Sequence, residues 1–212
     1  MRPLLITDCD EVLLHMVRHF RTWLDEHHAI DFAIGAGDFA TSMTRRDGGG
    51  AIPQAEMWSL LGGFFPAEMS RQTLVPHAAE ALQAIATQAE IVILTNLLDE
   101  CRLPRVEQLA AFGIAHRVVC NQGGKGPAVA ALLAEHGDVD GPPVAVFVDD
   151  IAGHHESVAR HAPGVHRLHL IADAELAAAM PAAPFAHARI DDWREALPWI
   201  QARFAGGAPA AA

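Results

Sequence analysis

One stretch constrains this chain more than any other: Leu4-Leu5-Ile6-Thr7-Asp8-Cys9-Asp10-Glu11-Val12, an apolar run that ends in two aspartates. Its short, continuous apolar part has the pattern of a strand buried on both faces. Asp8 and Asp10 then fall at the carboxyl end of that strand, where open α/β sheets place their ligands. Two carboxylates this close repel each other unless a cation or a shared proton relieves them. Mg²⁺ suits such a pair, since it takes oxygen ligands and uses few protein carboxylates beside substrate phosphate. Alone, the stretch also reads as a solvated loop, and residues far along the chain decide between the two.

The pattern after Val12 changes period. Leu13, Met16, Val17, Phe20, Trp23 and Leu24 recur at helical spacing. Residues 14–75 lose regular alternation, with a glycine run at Gly48-Gly49-Gly50 and a helix near 55–61, and read as a small, mostly helical cap inserted after the first strand. Alternation then resumes. Residues 90–94 form a buried strand ending at Thr95-Asn96, and a helix carrying Val106, Leu109 and Phe112 stops at Gly113. A short strand at 117–120 precedes a helix opened by Gly126-Pro127. A further strand at 144–148 ends at Asp149-Asp150, another spans 164–170, and a last helix runs near 191–204. Strands alternating with helices imply a Rossmann-like α/β core, three layers around a parallel sheet with right-handed crossovers. The expected division is a core of residues 1–13 and 76–205, a cap of 14–75 and a flexible tail of 206–212. Asp8, Asp10, Thr95 and Asp149 all follow strand ends and should share one crevice.

Composition narrows the partners. With 51% hydrophobic and 19% charged residues the chain is globular. A net charge of -11 argues against nucleic acid, because phosphate backbones demand a basic surface. No segment approaches the ~20 apolar residues that span a bilayer, and the amino terminus does not read as a signal peptide. Cys9, Cys101 and Cys120 are too few and scattered for a disulfide framework, which points to a reducing, cytoplasmic setting. Cys9 should face away from its flanking aspartates by strand alternation and pack inside. The oligomeric state, a homodimer included, stays open.

With these residues in place, the chain resembles the haloacid dehalogenase-like hydrolase superfamily, most of whose members are Mg²⁺-dependent phosphatases. Asp8-x-Asp10-x-Val12 resembles its first motif, Thr95 after an apolar strand its second, Lys125 before a helix its third, and Asp149-Asp150 its fourth, in the same order over residues 4–170. The resemblance implies that Asp8 is the nucleophile and forms an aspartyl-phosphate. Asp10 would act as general acid and then general base. Asp8, the backbone carbonyl of Asp10 and Asp149 would hold Mg²⁺, with Asp150 helping directly or through water. Thr95, the backbone N–H of Asn96 and Lys125 would bind the phosphoryl oxygens of a small phosphate ester.

Other signals carry less. Gly35-Ala-Gly37-Asp-Phe-Ala40 spells part of a dinucleotide fingerprint but lacks a βαβ setting and reads as a cap turn. Gly123-Gly-Lys125-Gly126 is no nucleotide-hydrolase phosphate loop, because Val119 stands where the first glycine is needed. The 13 histidines include His15 and His19 one helical turn apart and the pairs His27-His28 and His154-His155, with no zinc-ligand spacing. His154 and His155 follow the acids closely enough to touch the rim of the site. Arg45-Arg46 are candidates for a substrate carboxylate or second phosphate.

The reading is a phosphatase of a small phosphorylated metabolite. A phosphomutase or other phosphoryl transferase on the same core, and a non-catalytic binding protein of this fold, are the alternatives. Dehalogenation leaves Asp10 without a duty, and phosphonate cleavage needs a cap lysine that residues 14–75 lack. A sugar transferase would leave Thr95, Lys125 and Asp149-Asp150 unexplained, and a signalling receiver has its acidic pair and phospho-acceptor in the reverse order.

Overall fold

In the computed structural model, which describes residues 1–34 and 42–206, the opening apolar run forms β1 (Leu4–Thr7), buried at every residue. The chain then leaves the sheet through β2 (Leu14–His15) into α1 (Val17–His28). Three short strands follow, β3 (Ile30–Phe32), β4 (Met43–Arg45) and β5 (Gly50–Ala51), which pair antiparallel in that order. After α2 (Gln54–Glu68) the chain returns along β6 (Thr73–Leu74), antiparallel to β2 with Leu14 opposite Leu74 and His15 opposite Thr73. The outgoing and returning segments are thus stitched side by side. The apolar spacing expected of α1 is observed: Val17, Phe20, Trp23 and Leu24 are buried, and Phe20 packs edge-on to Phe64 of α2 at 5.2 Å between ring centres. Residues 14–75 therefore carry their own apolar cluster. Their small sheet is a feature that strands of two or three residues do not announce in sequence.

From there strand and helix alternate: α3 (Ala78–Ala86), β7 (Glu90–Thr95), α4 (Arg102–Ala111), β8 (Arg117–Cys120), α5 (Gly126–His136), β9 (Ala145–Asp149), α6 (Ala152–His161), β10 (His166–His169), α7 (Ala174–Ala179), β11 (Ala188–Arg189) and α8 (Trp193–Gly206). The six strands of the main sheet are parallel, in the order β11-β10-β9-β1-β7-β8. β1 lies where the winding reverses, with β7 on one side and β9 on the other, which is where a crevice opens at the carboxyl edge. Successive β1 side chains enter opposite layers. Leu5 packs with Leu82, Ile93 and Trp193, whereas Leu4 and Ile6 pack with Val129, Phe147 and Val158.

Three sequence expectations shift. On α4 the inward face carries Arg105, Gln108 and Leu109 and leaves Val106 exposed, because the helix is turned so that a charged group enters the interior. β11 adds an edge strand too short to show alternation. Gly206 ends α8 instead of starting a tail; residues 207–212 and the stretch Gly35-Ala-Gly37-Asp-Phe-Ala40 lie outside the described residues.

Candidate active site

The register of the sheet brings the acids together. Thr7, the last residue of β1, pairs with Val148 of β9 and Ile93 of β7, and the Asp8 N–H donates to the Val148 carbonyl at 2.8 Å. Asp8 therefore emerges beside Asp149, and Thr95 at the end of β7 lies on the same edge. Lys125 reaches these acids from the loop between β8 and α5. Its side chain is fully buried, and Nζ lies 2.7 Å from Asp8 Oδ1 and 2.7 Å from Asp149 Oδ2. Two packing features hold it there. Gly126 lets α5 approach α6 so closely that an added Cβ would lie 2.6 Å from the Ser157 carbonyl carbon, and the Gly126 N–H donates to Ser157 Oγ at 2.9 Å. Asn96 supports the loop from the other side: its Nδ2 donates to the Gly123 carbonyl at 2.9 Å and its Oδ1 accepts from Asn121 Nδ2 at 2.8 Å. The Asn96 side chain is thus engaged with the loop.

The electrostatics divide the carboxylates. Burial pushes Asp8 up to about 7, with Lys125 pulling against it and Asp149 adding to it. Asp150 is held well above the usual carboxylate range by burial and by Asp149 and Asp8. Burial acts on Asp149 in the same sense, but the Lys125 charge, with His154 and His155, overrides it and keeps Asp149 low. Burial also opposes the charge on Lys125, yet Asp149 and Asp8 together leave its ammonium harder to deprotonate than usual. Lys125 meets Asp8 and Asp149, and burial beside one another holds Asp8 and Asp150 toward their protonated forms.

Three acids so close fit a divalent cation that takes the place of those protons. Asp8, Asp149 and Asp150 each present an oxygen within 4.8 Å of the others. Among the described residues, Asp150 Oδ1 is buried with no hydrogen-bond partner, a state that is unfavourable unless something else satisfies it. An all-oxygen, carboxylate-rich donor set matches a hard ion such as Mg²⁺.

Asp10 stands apart from this cluster. Its side chain is 15% exposed and accepts from Arg105 Nη2 at 3.0 and 3.1 Å and from Gln72 Nε2 at 3.0 Å. Arg45 and Arg46 are engaged within residues 14–75, Arg45 with Glu56 and Arg46 with Asp25 and Asp31. Cys9 is buried as alternation requires. The protein's cysteines are free thiols.

No family model matches the sequence, and no curated protein matches it. Solved structures do. A haloacid dehalogenase-like family hydrolase from Streptococcus pneumoniae superposes with a TM-score of 0.60 at 14% identity, over 92% of this chain and 97% of that one. A haloacid dehalogenase family hydrolase from Deinococcus radiodurans R1, determined with bound phosphate and sodium, gives 0.59 at 16% identity over 98% of both chains. A protein described as a predicted phosphoglycolate phosphatase from Haemophilus somnus 129PT gives 0.58 at 18% identity, over 92% and 96%. The chain has the haloacid dehalogenase-like fold.

Within this haloacid dehalogenase-like fold, several residues that support the acids carry no motif. His155 Nε2 lies 3.0 Å from the Asp149 carbonyl, and His169 Nε2 lies 2.8 Å from the Asp150 carbonyl. His169 Nδ1 accepts the Ala183 N–H at 3.0 Å, so the proton sits on Nε2 and is donated to Asp150. Glu11, in the left-handed region with φ of 59°, accepts the Met16 and Val17 N–H groups at 2.7 and 2.5 Å and so caps α1. His155 was within reach of sequence reasoning as a neighbour of the acids. Arg105 offered one signal, an arginine at a position of α4 that the helical repeat turns inward.

Proposed function

We propose that this protein is a Mg²⁺-dependent phosphatase of a small phosphate ester, working through an aspartyl-phosphate on Asp8. The observation that carries this reading is the buried Lys125 ammonium at 2.7 Å from both Asp8 and Asp149, at the edge where Thr95 also ends its strand. A nucleophilic carboxylate must face phosphorus while the charge of the phosphoryl oxygens is offset, and this arrangement supplies both. The Deinococcus structure holding phosphate and sodium on the same fold supports it.

In this mechanism an Asp8 carboxylate oxygen attacks phosphorus in line and the bond to the ester oxygen breaks. Asp10 gives its proton to the departing oxygen, then takes one from the water that attacks the aspartyl-phosphate, which returns Asp8 and inorganic phosphate. Lys125 offsets charge on Asp8 and the phosphoryl group, while the Thr95 hydroxyl and the Asn96 backbone N–H hold phosphoryl oxygens. Asp8, the Asp10 carbonyl, Asp149 and Asp150 would hold Mg²⁺, which stabilises charge on the transferring group when bound. Arg45 and Arg46 would meet a substrate carboxylate or second phosphate once substrate draws them from Glu56, Asp25 and Asp31.

Hydrolysis of a generic aryl phosphate with and without Mg²⁺ tests the reading. Turnover is expected to need the ion and to fall at least ~100-fold in Asp10→Asn. Turnover indifferent to both would remove it, and transfer of phosphate to a sugar instead of water would favour a mutase.

The ion should also reveal Asp8's proton. In the ion-free protein Asp8 stays protonated up to about 7, and binding of Mg²⁺ must displace that proton. The Tm increase produced by millimolar Mg²⁺ is therefore expected to grow between about pH 5.5 and about pH 7.5. Equal increases at both would contradict the assignment of Asp8 as a ligand.

A further inference from the structure

Arg105 is a charged side chain with no exposed surface, and burying a guanidinium is unfavourable unless its partners repay the lost hydration. Its partners are few and specific. Nη2 donates to both oxygens of Asp10, Nη1 reaches Cys9 Sγ at 3.4 Å, and the Phe65 ring from α2 lies 5.7 Å from the guanidinium carbon. A second donor comes from elsewhere. Gln72, buried near the returning end of residues 14–75, donates from Nε2 to Asp10 Oδ1 at 3.0 Å. Gln72 is itself held by Gln108 of α4, whose Nε2 lies 3.4 Å from Gln72 Oε1 and also donates to the Met69 carbonyl.

Asp10 is thus gripped from two sides, by a helix of the sheet domain and by the returning segment of the insertion. A simple structural ion pair would need neither the second grip nor the part of the Asp10 side chain left exposed. A proton-transfer group needs both, because an error of about 1 Å in its placement costs on the order of 100-fold in rate.

We propose that Arg105 and Gln72 are positioning residues that hold the Asp10 carboxyl for proton transfer, and that Gln72 ties this placement to the seating of residues 14–75. The proposal rests on the phosphatase reading for the consequence in rate, but the placement itself can be read without turnover.

A double-mutant cycle with Asp10→Asn separates positioning from mere support of the fold. With an alkyl phosphate as substrate, Arg105→Lys is expected to lower kcat by about 100-fold and Gln72→Leu by about 10-fold, with KM little changed. In the Asp10→Asn background each should lose less than about 2-fold, since there is no proton transfer left to misplace. Equal losses in both backgrounds would overturn the proposal. Gln72→Leu removes no charge and carries the test alone if Arg105→Lys does not fold. Crystal structures of the variants give the second arm: Asp10 should leave its place while Asp8, Lys125 and Asp149 keep theirs. Asp10 unmoved in the variants would overturn the proposal whether or not the wild type hydrolyses a phosphate ester, whereas absent hydrolysis with a displaced Asp10 would count against the phosphatase reading alone.

Discussion

Asp8→Asn is expected to abolish phosphate release, lowering kcat on an aryl phosphate by at least about 10⁴-fold, because the amide offers no nucleophilic oxygen anion. The same change should leave stability nearly intact or raise it. Burial holds Asp8 up at about 7 against its ordinary 3.8. A carboxyl raised in this way contributes its full stability below the unfolded value and loses it as pH rises through the folded one. Near pH 8 the ionised Asp8 therefore weighs on the fold, and Asn removes that burden while Lys125 keeps Asp149 as a partner at 2.7 Å. Phosphate release and thermal unfolding, measured on the same preparation, check both halves. A variant that is inactive only because it has unfolded would not support the assignment.

Lys125→Met should have the largest effect on stability. It leaves Asp8 and Asp149 facing each other in a buried site without their shared cation. Removing one partner of a buried ion pair costs roughly 3–5 kcal/mol, which for a chain of this size lowers Tm by about 6–20 °C. Proton uptake by Asp8 softens the loss in acid, so the deficit should widen from about pH 5.5 to about pH 8. Mg²⁺ should return part of it by supplying positive charge to the same carboxylates. An unchanged Tm in the absence of the ion would show that Lys125 does not neutralise this cluster.

The acids and Thr95 were legible in sequence because each follows an element whose pattern is strong. Short runs of consecutive apolar residues, as in β1 and β9, have the pattern of strands covered on both faces, and what comes next then stands at the sheet's edge. That logic put Asp8, Asp10, Thr95 and Asp149 at one edge, whereas Lys125 came only from the resemblance of its place before α5 to the third motif. It could not reach the surroundings of Asp10. Arg105 and Gln72 meet that carboxylate across 95 and 62 positions of sequence, and no local period encodes such a meeting. Nor could it show that His155 and His169 serve the acids through main-chain carbonyls, since a histidine that donates to a carbonyl looks in sequence like any other buried one. The sheet formed by β3, β4 and β5 escaped for a different reason. Its strands are shorter than the span over which alternation can be recognised.

The most direct test of the central claim is the mass of the protein itself. Mixed with an aryl phosphate and Mg²⁺ and quenched in acid within one turnover, the wild type should gain the mass of one phosphoryl group, located on the peptide that carries Asp8. Asp10→Asn should hold that adduct longer, and Asp8→Asn should never acquire it. Turnover with no adduct, or with the phosphoryl group on any residue other than Asp8, would contradict the account.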